Sequence, residues 1–461
     1  MRHAGLSRWI LVLAFLAVGQ APAAERQLTN TEEGHMLTNS AVWSADGQWI
    51  AYDTRKIPES FDGTRIELVN ARTGEVRRVY ESQNGAACGV ASFHPVDPKV
   101  VFILGPENPT SDWTYALSRR RGAIVDLREP GVARPLDAMN YAPPFTPGAL
   151  RGGSHVHMFS GDGKRFSFTY DDEFLARSGV NGSGYDVNER NIGVGSLASP
   201  VRVNRNHPRN NDGDSFCTVV TRTVPKPQPG SDEIGRACEE GWIGRNGYLR
   251  PDGTRQPYAL AFQGLVTAAS GERHFEVYVV DLPDDLTQRD GAPLEGTATT
   301  LPAPPQGTTQ RRITHTDSRK YPGIQGVRHW LRCAPDGSQI AFLMRDDNGV
   351  SQIWLVSPNG GEPHQLTHNA WDIGSTFTWS PDGKRIAHAM DGSVFATEVD
   401  SGHSFRLTEK GPDSSVPQPY SCVFSPDGKS IAYARRQPSG CDQLFVVDVP
   451  PLSSLNPAPN P

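Results

Sequence analysis

The chain has 461 residues, of which 37% are hydrophobic and 21% charged, with a net charge of −6. That balance suits a water-soluble globular protein, excludes a multi-span membrane protein and gives no pull toward nucleic acid. With 46 glycines and 38 prolines the chain is rich in turns, which favours many short strands over long helices.

In chain order, the first segment reads as a secretory signal over residues 1–24. Arg2 and Arg8 start it, Trp9 to Val18 form a short apolar run, and Ala21-Pro22-Ala23 offers a small-residue cleavage site. The apolar run is about half the length a membrane span needs. The expected location is therefore the periplasm or the exterior, with no membrane span. Cys88, Cys217, Cys238, Cys333, Cys422 and Cys441 would enter an oxidising compartment. None is in CxxC spacing, so neither a zinc ribbon nor a thioredoxin motif is present. Most are expected to be small buried side chains.

A repeat follows. Trp43-Ser-Ala-Asp-Gly-Gln-Trp-Ile-Ala-Tyr52 is a strand, a tight turn and a second strand. Phe93-His-Pro-Val-Asp97 with Val100-Val-Phe-Ile-Leu104 is a weaker copy, and Phe159-Ser-Gly-Asp-Gly-Lys-Arg-Phe-Ser-Phe168 a clear one. A divergent unit runs over about 207–314, holding Phe216-Cys-Thr-Val-Val-Thr221, Tyr258-Ala-Leu-Ala-Phe262 and Phe275-Glu-Val-Tyr-Val279, with insertions at 225–241 and 283–307. The copies at 333–342, 379–388 and 424–433 restore the pattern, and 450–461 reads as a disordered tail rich in Pro, Ser and Asn. In each turn glycine supplies the positive φ and aspartate accepts hydrogen bonds from the backbone. Third strands such as Gln352-Ile-Trp-Leu-Val356 and fourth strands ending in Leu-Thr or Ile-Thr (366–367, 407–408, 313–314) complete the unit.

Four strands in about 45 residues is the period of a β-propeller blade. The fold class is therefore all-β: a propeller of four-stranded blades over 25–449. Seven blades are expected, or six if the divergent unit is not a blade. Arg26-Gln27-Leu28-Thr29 is a fourth-strand signature with no blade before it, so it should complete the last blade and close the ring.

The Ser-Pro-Asp-Gly-Lys-x-Ile-Ala repeat resembles the TolB-like (PD40) propellers of exported bacterial proteins. Gly105-Pro-Glu-Asn-Pro109, Thr146-Pro-Gly-Ala-Leu-Arg-Gly-Gly-Ser-His-Val-His157, Pro227-Gln-Pro-Gly-Ser-Asp-Glu233 and Phe342-Leu-Met-Arg-Asp-Asp-Asn-Gly349 resemble the YidR-like family. That resemblance implies a propeller and brings no activity with it. More distantly, the repeats and one His-x-His before a turn are similar to the oligogalacturonate lyases. The resemblance implies seven blades and a divalent metal held by histidines near the channel.

Propeller ligands usually sit at the channel mouth, where the innermost strands begin. His155 and His157 are two apart on such a strand, so their side chains should share a face about 7 Å apart. They could converge on a divalent metal (Mn, Zn, Ca or Ni). His329 has the same offset from its turn as His155, and Asp372 could add an oxygen ligand. The alternative for each is packing between blades or bonding to a loop. His207 or His94 could serve as a base. Arg151, Arg209 and Arg328 could hold a carboxylate on an acidic sugar or a peptide terminus, or could pair with the turn aspartates. Arg119-Arg120-Arg121 reads as a solvated loop or strand end, which would aid acidic ligands if it faced the mouth.

Two functions follow. The first is an exported module binding a protein, peptide or acidic glycan at its channel mouth, as a monomer. The alternative is a metal-dependent lyase or related enzyme acting on acidic oligosaccharides, its metal neutralising a substrate carboxylate. There is no nucleophile elbow and no nucleotide-binding glycine pattern.

Overall fold

The computed structural model describes residues 24–451, 454 and 457, apart from 39, 58–59, 179–188 and 421. The expected signal segment and most of the expected tail lie outside the described residues. Within them no helix is long and apolar enough to cross a membrane.

Seven antiparallel sheets form the ring. Blade 1 has strands Trp49–Asp53, Arg65–Asn70 and Val76–Glu81, with two isolated bridges, Met36 to Asp53 and Trp43 to Ile50, standing where an inner strand would be. Blade 2 runs Cys88–Phe93, Lys99–Leu104, Arg121–Asp126 and Ala133–Pro135. Blade 3 runs Gly152–Phe159, Arg165–Asp172, Asn191–Ser196 and Phe216–Val219. Blade 4 runs Ala237–Trp242, Ala259–Thr267, Arg273–Asp281 and Thr309–Arg312. The second and third strands of blades 5, 6 and 7 are Ile340–Arg345 with Ser351–Val356, Arg385–Met390 with Ser393–Glu398, and Ser430–Arg436 with Asp442–Asp448. Their inner strands have only two residues each.

The count is seven, and one boundary moves. Phe216–Val219 is the fourth strand of blade 3, paired with Asn191–Ser196, so the divergent blade begins at Ala237. The long connection after blade 3's third strand had concealed its partner. The N-terminal strand Glu25–Gln27 pairs with Asp442–Asp448, Arg26 opposite Val446, and closes the ring.

Turn chemistry repeats as the sequence implied. In Ser44/Asp46, Ser380/Asp382 and Ser425/Asp427 the serine hydroxyl donates to the aspartate at 2.5–2.6 Å. The fourth-strand threonine has an equally plain role. Thr29, Thr221, Thr314, Thr367 and Thr408 each accept, through Oγ1, a backbone N–H of the third strand at 2.9–3.0 Å. The hydroxyl takes the place of the next ladder carbonyl where the outer strand ends, so no buried donor is left unpaired. Each sheet is apolar on both faces because each is sandwiched. Ile50 and Tyr52 pack with blade 7, while Ala51 packs with blade 2. A separate apolar cluster of Val90, Ile103, Val156, Met158 and Trp330 draws on blades 2, 3 and 5 and fills the centre of the ring.

Candidate functional site

Three neighbouring inner strands break their own pairing. In blades 2, 3 and 4 the register slips by one residue between Gly89 and Ser92, between His155 and Met158, and between Cys238 and Gly241. The extra residue in each is a non-glycine with positive φ: Val90 (61°), Val156 (58°) and Glu239 (56°). Such bulges cost conformational energy and re-aim the side chains around them. The first has its own support, since Asp53 of blade 1 accepts the Val90 N–H at 2.7 Å and pairs with buried Arg55 at 2.7 Å.

The bulge at Val156 separates the two histidines expected to act together. His157 turns toward blade 2, donating to Ser154 Oγ at 3.0 Å and packing near Phe166 and Phe168. Burial pulls its pKa down to about 3. His155 faces another way, its Nδ1 3.9 Å from Asp171 Oδ2. Burial, then the charges of Arg120, Arg190 and Arg328, hold it well below its ordinary value, so it is a neutral imidazole. His329 has both ring nitrogens engaged by backbone, Nδ1 donating to Val327 O at 2.9 Å and Nε2 accepting Leu343 N–H at 3.1 Å. Burial lowers its pKa to about 4. Asp372 is exposed and caps Ser351 N–H at 2.7 Å. Among the described residues these four share no ligand point, and the donor set does not fit a metal. The metal-type group that does gather is His274, Glu276 and Asp317 on blade 4. There Arg312 already supplies the cation, 3.0 Å from Glu276 and 2.9 Å from Asp317.

The remaining expected residues are spread around the ring. His94 lies at the turn end of blade 2, away from the mouth, with Nδ1 accepting Asp97 N–H at 2.8 Å and Nε2 donating to Gly163 O at 3.0 Å. It borders a cleft of about 750 Å³ between blades 2 and 3, where Lys99 and Asp97 pair at 2.7 Å. His207 packs against Trp113 and Tyr141, and its Nδ1 accepts Arg209 N–H at 3.2 Å. Arg209 donates to Glu107 O and Asn108 O beside a small cleft of about 180 Å³. Arg151 is fully buried, paired with Asp172 at 2.7 Å and donating to the carbonyls of Thr297 and Thr300, so it clamps the blade 4 insertion. Only Arg328 of the three expected arginines stays available. Its guanidinium pairs with Glu239 at 2.8 Å while the side chain is 56% exposed.

Arg328 marks the site. It lines a cleft of about 490 Å³ with Arg190, Arg236, Glu239, Gln325 and His329. Arg190 pairs with Asp171 at 3.2 Å, and Arg120 reaches to 3.8 Å from the same carboxylate. Arg120 is the central member of the basic run expected to be solvated, yet it is 6% exposed. Gly153 allows this. A Cβ on Gly153 would sit 2.1 Å from Leu117 O, so only glycine lets residues 117–120 lie over the inner strand of blade 3. Arg120 O then accepts Ser154 N–H. Burial, opposed by Tyr115 and Asp171, lowers the Arg120 pKa. Around Asp171 Oδ2, several buried polar atoms have no hydrogen-bond partner: Arg120 Nε and Nη2, His155 Nδ1, Asp171 Oδ2 itself and, close by, Glu239 Oε2 and Arg236 Nε. Such orphaned groups are costly in a folded protein. Residue-type pattern alone missed Arg190, Asp171 and Glu239; the acidic pairs Asp171-Asp172 and Glu239-Glu240 inside strands were the signal available.

An E. coli K12 protein named as uncharacterised protein YidR is 47% identical over 414 residues, covering 89% of this chain and 94% of its own. The chain belongs to the YidR family. A family described as a protein of unknown function, DUF3748, matches residues 87–211, which include Arg120, His155 and Asp171. An oligogalacturonate lyase solved in complex with manganese aligns over 93% of each chain at 13% identity and TM-score 0.54. A second, from Vibrio parahaemolyticus, aligns over 94% of this chain and 95% of its own at 10% identity and TM-score 0.54. At such identities these solved structures establish the propeller fold of this YidR relative and carry no activity to it.

Proposed function

We propose that this YidR-family chain is an exported propeller that binds an anionic ligand at its channel mouth, between the inner strands of blades 3 and 4. Arg120, Arg190 and Arg328 would hold the acidic group. The observation that supports this is that Arg120 Nε and Nη2 and His155 Nδ1 have no hydrogen-bond partner, next to an Asp171 that Arg190 ties to a 490 Å³ cleft. Four guanidiniums (Arg120, Arg190, Arg236, Arg328) there face two carboxylates (Asp171, Glu239), with His155 neutral, so the site carries surplus positive charge. An acidic ligand would supply both the missing charge and the missing acceptors. The metal-dependent lyase reading lacks its ligand set among the described residues and is not carried further.

The test is calorimetric titration of the purified protein with galacturonate oligomers and short free-acid peptides, against neutral sugars. Binding of at least one acidic class is expected, weakened about tenfold or more in Arg190→Ala and in Arg328→Ala, as loss of a charged hydrogen bond implies. No binding by any acidic probe, or binding untouched by both substitutions, would overturn the proposal.

A further inference from the structure

The anion cluster has a neighbour of opposite character. Ile57, Tyr115 and Leu117 are 43%, 37% and 42% exposed, among the few large apolar side chains that face solvent. All three lie on connections between second and third strands, in blades 1 and 2, at the end of the ring where the inner strands begin. The approach of Leu117 O to Gly153 places that rim over the mouth. Tyr115 stacks on Phe61 at 4.7 Å, and Phe61 packs onto the central cluster of Val90, Val156 and Trp330. An apolar path therefore runs from the rim into the channel. It meets the arginines directly, since Arg120 Nη1 donates to the Tyr115 hydroxyl at 3.2 Å.

We infer that the ligand is the C-terminal segment of a polypeptide ending in an apolar residue. This rests on the anion-binding reading above and narrows it. The α-carboxylate meets the surplus positive charge of Arg120, Arg190 and Arg328. The last side chain lies on the rim of Ile57, Leu117 and Tyr115, where aliphatic groups have little to offer the hydroxylated faces of a sugar. Peptide groups carry both a donor and an acceptor, and the site leaves both kinds unmatched. Asp171 Oδ2 and Glu239 Oε2 lack donors, while the buried indole N–H of Trp330 lacks an acceptor. Capture of a terminal carboxylate with specificity set by the adjoining side chain is a known mode of peptide recognition. A purely anionic sugar would use the arginines and leave the apolar rim wet.

The experiment compares one tripeptide ending in Phe as free acid and as C-terminal amide, a free acid ending in Ser, and a galacturonate dimer, each titrated into the full mature chain. The free acid ending in Phe is expected to bind at least about tenfold more tightly than its amide and than the Ser form. In the double variant Ile57→Ser, Leu117→Ser, whose side chains are already exposed, the Phe-over-Ser preference should collapse toward unity while the preference for free acid over amide persists. Equal binding of acid and amide, or a preference untouched by the double variant, overturns the inference. Binding of the galacturonate dimer that depends on Arg328, with no peptide binding, overturns the peptide reading and leaves the anion site standing. No binding by any probe overturns both.

Discussion

Two halves of this ring are built differently. Blades 5, 6, 7 and 1 carry the Asp-Gly turn, and their inner strands shrink to two residues or isolated bridges. Blade 3 keeps the Ser/Asp turn and blades 3 and 4 keep the threonine, yet the inner strands of blades 2, 3 and 4 run six, eight and six residues. All three of those strands are bulged, and buried polar atoms without a hydrogen-bond partner cluster around Asp171 and Glu239, while others are scattered through blades 5 to 7. The regular half closes and stiffens the ring at low cost. The irregular half accepts left-handed valines and buried charge, the strain expected where a protein holds a ligand.

The most severe way to break this division is at its seam. Arg55 and Asp53 of blade 1 are both buried, and Asp53 also holds the bulged Val90 N–H. Arg55→Met would leave a buried carboxylate without its cation, at an expected cost of about 3–5 kcal/mol. Urea unfolding should show the midpoint fall accordingly. A change under about 1 kcal/mol would mean that the bulge does not depend on blade 1.

Inside the irregular half, Glu240 follows the bulge of blade 4 and turns into the interface, accepting Thr169 Oγ1 at 3.0 Å. Burial pushes its pKa up to about 7. The folded state thus binds a proton more tightly than the unfolded chain. Its contribution is full below the unfolded value near 4.5 and fades as pH rises through 7. Glu240→Gln cannot ionise. Relative to the native chain it should gain stability between pH 4 and pH 8, by up to about 3 kcal/mol at the shift cited. Paired thermal melts across that range would show the gap opening. A constant offset would put the carboxyl in water and count against a sealed interface.

What sequence could and could not supply follows the same division. Turn chemistry is local, so Asp382, Asp427 and their glycines mark blades directly, and Arg26 to Thr29 could be recognised as a missing fourth strand. Equal offset from the turn also placed His155 and His329 on equivalent inner segments. The failures were non-local. Nothing around Val156 announces a left-handed residue, because valine resists that conformation, and one inserted residue sends His157 to the opposite side from His155. Arg120 is buried only because Gly153, more than thirty positions later, lets its loop descend. Arg151 has the charge of a ligand-binding residue, but the carbonyls that use it belong to an insertion in the next blade.

The smallest effect belongs to the regular half, and it tests whether that half is purely structural. Thr367 of blade 5 accepts Ile353 N–H at 3.0 Å and donates to Gln352 Oε1 at 2.7 Å, fully buried. Thr367→Val keeps the shape and removes the hydroxyl. It strands one buried N–H and takes one donor from Gln352, which still accepts Asn369 N–H at 3.1 Å. A loss of about 1–3 kcal/mol is expected from one unsatisfied buried donor, read as a lower urea midpoint with unchanged slope. Ligand affinity, measured in the same preparation below its unfolding transition, should stay within twofold of the native value, because the Thr367 hydroxyl bonds Ile353 and Gln352 and, among the described residues, none of the groups named at the mouth. Weakened affinity at intact fold would mean that the two halves are coupled, and that the regular blades tune the bulged strands as well as close the ring.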